Sequence, residues 1–373
     1  MVEAFGVEEF LPLGVVGKLR RLRAIGSGGM SAEEIVKKEA DHRFIYRRSN
    51  PAVPTDGRLV IVAADHPARA IGSPGESVAP EVGENYQKDA AMFYAPGYLA
   101  RVVRAASYAD GVMAPSYLIE DMFLLSHLSR HEGEPTFMDK MFLIGCMQRL
   151  GLQGAAHELD DMMSSFTTER LEELRMDGGK VMWRYTEIPG DATGELKEKY
   201  IQGNRDAQLT AKYIADVVTA NHGEGIRTFV EPLYMTWDGN KWASSKNPRD
   251  QAKVNVVASA LGSSSTGTWL KIPYCGDDMA FVVNSSTCPK LVLGGASKGD
   301  VKPLLEDAHK SLEYGAEGLL QGRGVLYCGP NDPGAVALAM YQMAHGGASL
   351  DDALRIVDDY RGTGMDMITS RLK

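Results

Sequence analysis

Short, continuous runs of apolar residues recur along most of the chain, and polar or glycine-rich residues end almost every run. In the first run, Leu59-Val60-Ile61-Val62-Ala63-Ala64, apolar residues do not alternate with polar ones. A strand that is buried on both faces of a parallel sheet has this pattern. Eight such strands are predicted, and they cover residues 59–64, 110–114, 141–146, 180–185, 227–232, 267–274, 290–293 and 318–321.

Stretches with helical periodicity separate the predicted strands, and the clearest lie near residues 98–109, 201–221 and 251–261. Eight strands that alternate with helices predict an α/β fold, a (β/α)8 TIM barrel, rather than an open doubly wound sheet. No Gly-x-Gly-x-x-Gly motif follows the first strand, so the main sign of a dinucleotide-binding domain is absent.

Two further segments flank the strands. We predict an N-terminal helical extension over residues 1–57, in which Ser31 with Glu33 and Glu34 has the pattern of a helix N-cap and an acidic first turn. A proline-rich break at 50–57 separates it from the barrel, which we assign to residues 58–373. A C-terminal capping helix is predicted after Ser349.

Composition and charge narrow the classes of function. With 373 residues, 44% hydrophobic and 24% charged, the chain suits a large globular enzyme. A net charge of −9 argues against a nucleic-acid partner. No signal pattern and no apolar run of about 18 residues is present, so we expect a cytoplasmic protein without a membrane partner. The four cysteines form no Cys-x-x-Cys pair, which favours neither a zinc site nor a disulfide framework. We expect neither a metal nor a cofactor.

Lys271 stands in the middle of the predicted strand Gly267-Thr268-Trp269-Leu270-Lys271-Ile272-Pro273-Tyr274. An amine among apolar groups loses hydration, so its charged form is disfavoured and it becomes a nucleophile toward carbonyl carbon. Most lysines instead extend their amines to water, and that structural alternative stays open here. Lys271 is therefore a candidate Schiff-base residue.

In a (β/α)8 barrel the active site forms where the strands end, so the residues that close each apolar run are candidates for chemistry. These residues are Asp65, Trp183, Tyr185, Glu231, Lys271, Gly294, Gly295, Gly322 and Arg323. Loops after the seventh and eighth strands often hold phosphate, because glycines expose backbone N–H groups and an arginine adds a charged contact. The glycines at 294, 295 and 322 with Arg323 fit that site.

The side chains that would move protons each have a structural alternative. Asp65 is either a helix cap or cation partner, or a carboxylate that faces the amine. Tyr185 is either a core aromatic residue or an acid/base group. Glu231 is expected to pair with Lys271 or Arg184 inside the barrel, because a buried carboxylate needs a partner.

Five elements of the sequence together resemble the class I aldolases of the deoxyribose-phosphate and tagatose-bisphosphate aldolase superfamily, nearest to the archaeal-type class I fructose-bisphosphate aldolases. They are Ala64-Asp65-His66, Trp183-Arg184-Tyr185, Lys271, Leu293-Gly294-Gly295-Ala296-Ser297-Lys298 and Gly322-Arg323-Gly324. The resemblance covers residues 59–343, and the Trp-x-Tyr element and the lysine are its most specific parts.

The resemblance implies a lyase in which each element has a role. Lys271 would form the imine, Tyr185 would be the general acid/base, and Asp65 would assist protonation. Trp183 would shape the pocket, and the glycines with Arg323 would hold a phosphate. The protonated imine would act as the electron sink for carbon–carbon cleavage, so no metal would be required.

Several positions depart from the family pattern. Pro67 follows His66, where family members often have glycine, and Arg184 within Trp-x-Tyr should point away from the pocket by strand alternation. The deoxyribose-phosphate type would add an active-site lysine near the seventh strand, but Lys290 lies at the wrong end of it. Deoxyribose phosphate is therefore not the expected substrate.

The chain also resembles an actinobacterial subgroup that is associated with inositol breakdown. Its expected substrate, 5-dehydro-2-deoxygluconate 6-phosphate, would give dihydroxyacetone phosphate and malonate semialdehyde. The substrate carboxylate would need a cation, for which Arg69, Arg149 and Lys298 are candidates.

Three alternatives remain at this point. One is a fructose- or tagatose-bisphosphate aldolase. Another is a metal-dependent enzyme on the same fold, although only His66 among the histidines closes a strand. The third is a barrel that binds a sugar phosphate without catalysis. We expect a homo-oligomer, although apolar stretches such as 92–94 suit a helix layer equally well.

Overall fold

The computed structural model describes residues 5–50, 56–148 and 156–359 of the chain. Nine strands lie within these ranges. They are β1 (Leu59–Ala63), β2 (Gly111–Ala114), β3 (Phe142–Cys146), β4 (Gly178–Tyr185), β5 (Arg227–Trp237), β6 (Trp242–Ser244), β7 (Thr268–Pro273), β8 (Lys290–Leu293) and β9 (Gly318–Gln321).

All strands except β6 are parallel neighbours in the order β1-β2-β3-β4-β5-β7-β8-β9, and β9 pairs with β1 to close the barrel. The register of the long β4–β5 pair runs from Gly178 opposite Arg227 to Tyr185 opposite Tyr234. The predicted (β/α)8 barrel and its eight strands are confirmed.

Thirteen α-helices surround the strands in the described ranges, and no helix there is long and apolar enough to cross a membrane. They are α1 (Val7–Phe10), α2 (Leu13–Ile25), α3 (Ala32–Ser49), α4 (Ala95–Ala106), α5 (Ser116–Ser129), α6 (Thr168–Glu173), α7 (Gly194–Gly223), α8 (Pro248–Ala258), α9 (Met279–Val283), α10 (Lys302–Glu313), α11 (Arg323–Leu326), α12 (Pro333–His345) and α13 (Leu350–Asp359).

The predicted helix signals are borne out in the flanking segments. Ser31 caps α3 in a capping box: its hydroxyl accepts from the Glu34 backbone N–H, and the Glu34 carboxylate accepts from the Ser31 N–H. The predicted C-terminal helix is α13, and Ala353 and Val357 are buried on its inner side. Residues 51–55 of the predicted break at 50–57 lie outside the described residues, as do the residues after 359.

The barrel strands are continuously apolar because both of their faces are buried. On β1, Leu59 and Ile61 point into the barrel interior, whereas Val60 and Val62 pack against the surrounding helices. The interior cluster is small and closed, and consists of Leu59, Ile61, Ala63, Met113, Phe142, Ile144, Cys146, Phe229, Leu291 and Leu320. Polar side chains take the inner positions that follow toward the carboxyl ends of the strands.

Strand β5 is longer than predicted. The sequence indicated an end at Pro232, because proline normally lies at strand edges, yet the strand continues to Trp237 and turns back as the antiparallel β6. The carbonyl of Pro232 accepts a hydrogen bond from the Gln251 side chain. This hairpin packs on the N-terminal half of α7, where the Tyr200 hydroxyl accepts a hydrogen bond from the Trp237 N–H at 3.0 Å. The hairpin therefore extends the barrel wall at the carboxyl ends of the strands.

The N-terminal extension closes the amino end of the barrel through α3. Arg43 is 1% exposed, and it donates at 2.8 Å to the carbonyls of Met141 and Arg175 and forms an ion pair with Asp177. Met141 and Asp177 directly precede β3 and β4, so the guanidinium joins the extension to the start of two barrel strands. Burial lowers the pKa of Arg43 to about 10, although Asp177 opposes that shift.

We expect Arg43→Ala to lower the free energy of unfolding by about 3 kcal/mol, because it leaves buried carbonyls and part of the Asp177 charge unpaired. Urea unfolding followed by circular dichroism measures the change. Arg48→Ala is the matched control on the same helix: Arg48 is exposed, so its loss should change stability by less than about 0.5 kcal/mol. Equal effects from the two variants would contradict a closing role for α3.

Candidate active site

Lys271 lies inside the barrel on β7 and is 4% exposed. Its strand neighbours Leu270 and Ile272 pack outward against the helices. The amine donates to Glu231 on β5, with 3.1 Å between Lys271 Nζ and Glu231 Oε2. Of the two predicted partners for Glu231, the pairing with Lys271 is therefore confirmed.

A second buried lysine reaches the same carboxylate. Lys180 on β4 is 4% exposed, and its Nζ lies 2.7 Å from Glu231 Oε2 and 3.5 Å from Asp65 Oδ2. We call Asp65, Lys180, Glu231 and Lys271 the lysine–carboxylate cluster. It brings together three of the predicted catalytic residues and adds Lys180, which sequence reasoning did not single out. Lys180 also lies within an apolar strand, which is the signal that identified Lys271. The sequence therefore contained the signal for Lys180 as well.

The contacts within the cluster fix the charge of Glu231, Asp65 and Lys180. Burial would raise the pKa of Glu231, but Lys180 and Lys271 lower it to about 2. Burial likewise opposes ionisation of Asp65, yet Lys180 and Arg69 hold its pKa well below the usual range. Burial would lower the pKa of Lys180, and the carboxylates of Glu231 and Asp65 raise it instead. At neutral pH the two carboxylates are thus ionised and Lys180 is protonated.

The segment after β1 surrounds Asp65 with nitrogen groups. His66 Nδ1 lies 3.6 Å from Asp65 Oδ1, and Arg69 Nη1 lies 3.4 Å from Asp65 Oδ2. Burial lowers the pKa of His66 to about 3, so the imidazole is neutral at physiological pH. Burial and the nearby Arg69 also lower the pKa of Arg323.

At two of the three glycines after β8 and β9, a larger side chain would clash with its surroundings. A Cβ at Gly294 would lie 1.9 Å from Gln321 Oε1, and a Cβ at Gly322 would lie 2.8 Å from His66 Cε1. A Cβ at Gly295 would meet nothing within 4 Å. A side chain at Gly322 would force the His66 ring or the Ala63 carbonyl, at 3.0 Å, to move, and one at Gly294 would displace the end of the Gln321 side chain. The backbone at Gly295 borders open space.

Trp183 and Tyr185 lie outside the barrel interior. A Cβ at Gly178 would lie 2.5 Å from Phe229 in the interior, so the inner face of β4 carries residues 178, 180, 182 and 184. Trp183 Nε1 donates to the carbonyl of Ala207 on α7 at 2.9 Å. Its ring centre is 5.0 Å from that of Tyr185, so both aromatic residues share the outer face.

This placement separates Tyr185 from the predicted proton chemistry. The Tyr185 hydroxyl donates to Glu187 at 2.9 Å, and no hydrogen bond joins it to the lysine–carboxylate cluster. Arg184 instead shares the inner face with Lys180, so the expectation that it points away from the pocket is wrong. Its guanidinium pairs with Asp161, which follows β3, at 3.0 Å.

The three cationic residues that the sequence offered as partners for a substrate carboxylate lie in different parts of the chain. Arg69 lies at the cluster, Lys298 is exposed on the loop after β8, and Arg149 lies outside the described residues. Within the described ranges, no group of three or more His, Cys, Asp and Glu side chains is arranged to hold a metal ion.

The model of the Cgl0159-like family matches residues 57–342. The chain is similar to the crystal structure of Cgl0159 from Corynebacterium glutamicum, with 23% identity, a TM-score of 0.67, and 93% of this chain and 98% of that chain covered. It is also similar to a fructose-bisphosphate aldolase from Slackia heliotrinireducens, with 14% identity, a TM-score of 0.60, and coverage of 89% and 96%.

A third similar structure is a Schiff-base-forming fructose-1,6-bisphosphate aldolase, with 17% identity, a TM-score of 0.52, and coverage of 81% and 99%. At these identities the likenesses establish the fold. No curated protein sequence matches the chain.

Proposed function

The chain belongs to the Cgl0159-like family, and from this premise we propose that it is a class I aldolase. It would cleave or form a carbon–carbon bond of a phosphorylated, ketose-type substrate through a Schiff base on Lys271. The observation that carries the proposal is the buried contact of Lys271 Nζ with Glu231 Oε2, beside a second lysine that holds this carboxylate ionised.

The two lysines have different surroundings, and the difference favours Lys271 as the nucleophile. Lys180 lies between two carboxylates, which raise its pKa and keep it protonated. Lys271 contacts one of them. A Schiff-base amine must lose its proton before it attacks, so the lysine with one carboxylate partner is the better candidate.

The steps follow from this arrangement. The neutral Lys271 amine adds to the substrate ketone, and loss of water gives a protonated imine. A base removes the proton from the hydroxyl on the adjacent fragment, the carbon–carbon bond breaks, and its electron pair moves into the imine to give an enamine. Protonation of the enamine carbon and hydrolysis of the imine release the ketone product and restore the amine.

Glu231 is our candidate for the proton transfers, in place of Tyr185. Its carboxylate lies 3.1 Å from the Lys271 amine, and its low pKa depends on the charges of Lys180 and Lys271. When Lys271 gives up its proton to react, one of these charges is removed and the pKa of Glu231 rises. The carboxylate thereby becomes a better proton acceptor at the start of the reaction. Asp65 would keep Lys180 protonated and in place.

We assign the substrate phosphate to the loops after β8 and β9. Gly294, Gly295 and Gly322 would offer backbone N–H groups, and Arg323 would add a charged contact. The open space beside the backbone at Gly295 supports this assignment. Our preferred substrate is 5-dehydro-2-deoxygluconate 6-phosphate, which is supported by the sequence resemblance; fructose or tagatose bisphosphate is the alternative.

Borohydride reduction with dihydroxyacetone phosphate, followed by intact mass and peptide mapping, tests the proposal. We expect a stable adduct on Lys271 and none with glycerol 3-phosphate, which lacks the ketone. An adduct on Lys180 would exchange the roles of the two lysines. No adduct, with thermal stabilisation by dihydroxyacetone phosphate retained, would point to a non-catalytic or metal-dependent barrel.

A further inference from the structure

Part of the long loop after β1 runs beside the loop after β8, to which we assigned the substrate phosphate. Residues 74–77, which we call the β1 strap, form a parallel bridge in which Gly75 is the partner of Ser297. The Glu76 N–H donates to the Ser297 carbonyl at 2.9 Å, and the Ser297 N–H donates to the Pro74 carbonyl at 3.1 Å. Both backbone groups of Ser297 are therefore hydrogen-bonded to the β1 strap.

The conformation of Gly75 brings the two backbones together. Its φ is 110°, a value that glycine adopts readily and other residues rarely do. A Cβ at this position would lie 2.2 Å from the carbonyl oxygen of Ser297. A larger residue would therefore push the β1 strap away from the loop after β8.

Two buried serine hydroxyls add to this contact. Ser77 Oγ lies 2.6 Å from Ser297 Oγ, and the two hydroxyls lie 2.5 Å and 2.6 Å from the carbonyl oxygen of Tyr327. Ser77 is 5% exposed and Ser297 is 4% exposed. Ser297 Oγ also accepts from the Gly299 N–H at 3.1 Å. Each hydroxyl carries one proton, so at least one donates to the carbonyl, and the three oxygens form one connected group.

This group of oxygens joins both halves of the proposed phosphate site. Ser297 stands two residues after Gly295 in the loop after β8. Tyr327 directly follows α11, the helix that begins with Arg323. Within residues 294–300, Ser297 is the only buried residue. The position of this loop relative to Arg323 therefore depends mainly on the contacts of Ser297.

The chain beyond the β1 strap is anchored to α4. Glu81 accepts from Arg101 of that helix at 2.9 Å and 3.1 Å, and the two side chains are 6% and 5% exposed. Arg101 also donates to the Leu326 carbonyl at 3.4 Å, and its guanidinium lies 4.9 Å from the centre of the Tyr327 ring. A segment that is fixed in this way can hold the glycine-rich loop after β8 in place.

We infer that Ser77 is a positioning residue that makes the protein selective for phosphorylated over unphosphorylated ketones. Through Ser297 and the Tyr327 carbonyl, it holds the loop after β8 and Arg323 at a fixed spacing before the substrate binds. A glycine-rich loop that moved freely would lose conformational entropy on binding a phosphate, and this cost would weaken the affinity. The inference rests on the proposed function, because it uses the phosphate site assigned there.

Borohydride trapping with two ketones tests the inference. The ketones are dihydroxyacetone phosphate and dihydroxyacetone, which lacks the phosphate, and the concentration of each that gives half-maximal adduct is measured. We expect Ser77→Ala to reduce the preference for the phosphorylated ketone by roughly 10-fold, about the effect of one lost hydrogen bond. Trapping of dihydroxyacetone should not change. A role in folding alone would affect both ketones equally or neither.

Ser73→Ala is the matched control, because the Ser73 hydroxyl accepts from the Gly75 N–H at 3.3 Å within the same segment. Its preference should stay within about twofold of wild type. Ser297→Ala should lower the preference at least as much as Ser77→Ala does. The double variant should lose little more than Ser297→Ala, because the two hydroxyls act as a unit. An unchanged preference in Ser77→Ala, or independent effects of the two serines, would overturn the inference.

Inorganic phosphate keeps the inference testable if the protein is not an aldolase. Isothermal titration should show binding to wild type and roughly 10-fold weaker binding to Ser77→Ala. A wild-type protein that binds no phosphate would overturn the inference. Failure of the proposed function appears separately, as a wild-type protein that binds phosphate but forms no borohydride adduct.

Hydrogen exchange of the ligand-free wild-type protein needs no variant, so it tests the inference even if Ser77→Ala does not fold. We expect slow exchange at the backbone N–H groups of Glu76, Ser297 and Gly299, because all three are hydrogen-bonded before any ligand binds. Rapid exchange at these positions, slowed only by added phosphate, would show that the site is not pre-formed and would overturn the inference.

Discussion

Replacing Lys271 by methionine is expected to lower turnover by at least about 10⁴-fold and to abolish the borohydride adduct, because the variant has no amine to form the imine. Methionine fills a similar volume, and Glu231 keeps Lys180 as its partner at 2.7 Å. The fold should therefore survive. Steady-state cleavage of the phosphorylated substrate and mass spectrometry after reduction measure the two effects.

Lys290→Met is the matched control. Lys290 is also a buried strand lysine, but it begins β8 at the amino end of the barrel. Its Nζ donates there to the carbonyls of Ser286 and Cys288. We expect this variant to lose some stability and to keep both turnover and the adduct. If Lys271→Met stayed active and Lys290→Met did not, the Schiff-base assignment would be wrong.

Glu231→Gln is expected to lower turnover by about 10²- to 10⁴-fold, the range typical for loss of a general acid/base group. The amide keeps the shape of the side chain but can neither accept the proton nor balance the two lysine charges. The adduct on Lys271 should still form, more slowly, because the amine itself remains. Single-turnover cleavage measures the chemical step, and timed reduction measures imine formation.

Tyr185→Phe separates the two candidates for proton transfer. Like Glu231→Gln, this substitution removes a polar group near the end of a strand. The Tyr185 hydroxyl, however, lies on the outer face of β4 and contacts Glu187. We expect cleavage within about threefold of wild type, since no contact with the cluster is lost. A Tyr185→Phe variant as slow as Glu231→Gln would return the acid/base role to the tyrosine, as the sequence resemblance suggested.

The two lysines of the cluster show how far sequence patterns lead at the site. Lys271 was identified because it interrupts an apolar strand, and Glu231 because it closes one. Lys180 has the same pattern, but it stands at the start of its predicted strand, where a lysine usually reaches water. It became part of the site because β4 begins earlier, at Gly178, which places Lys180 within the barrel.

By itself, the sequence indicated the (β/α)8 barrel and the strand ends at which polar residues collect, because short continuous apolar runs that alternate with helical segments are typical of strands buried on both faces. Only the tertiary structure decided which residues of β4 face inward. A strand that is apolar on both faces has no alternation of polar and apolar residues, so its sequence does not show which residues face inward. Here the close approach of Gly178 to Phe229 shows it. The same contact places Lys180 at Glu231 and turns Tyr185 outward. Arg69 lies on a loop without a repeating pattern, so only the folded turn after β1 brought it to the cluster.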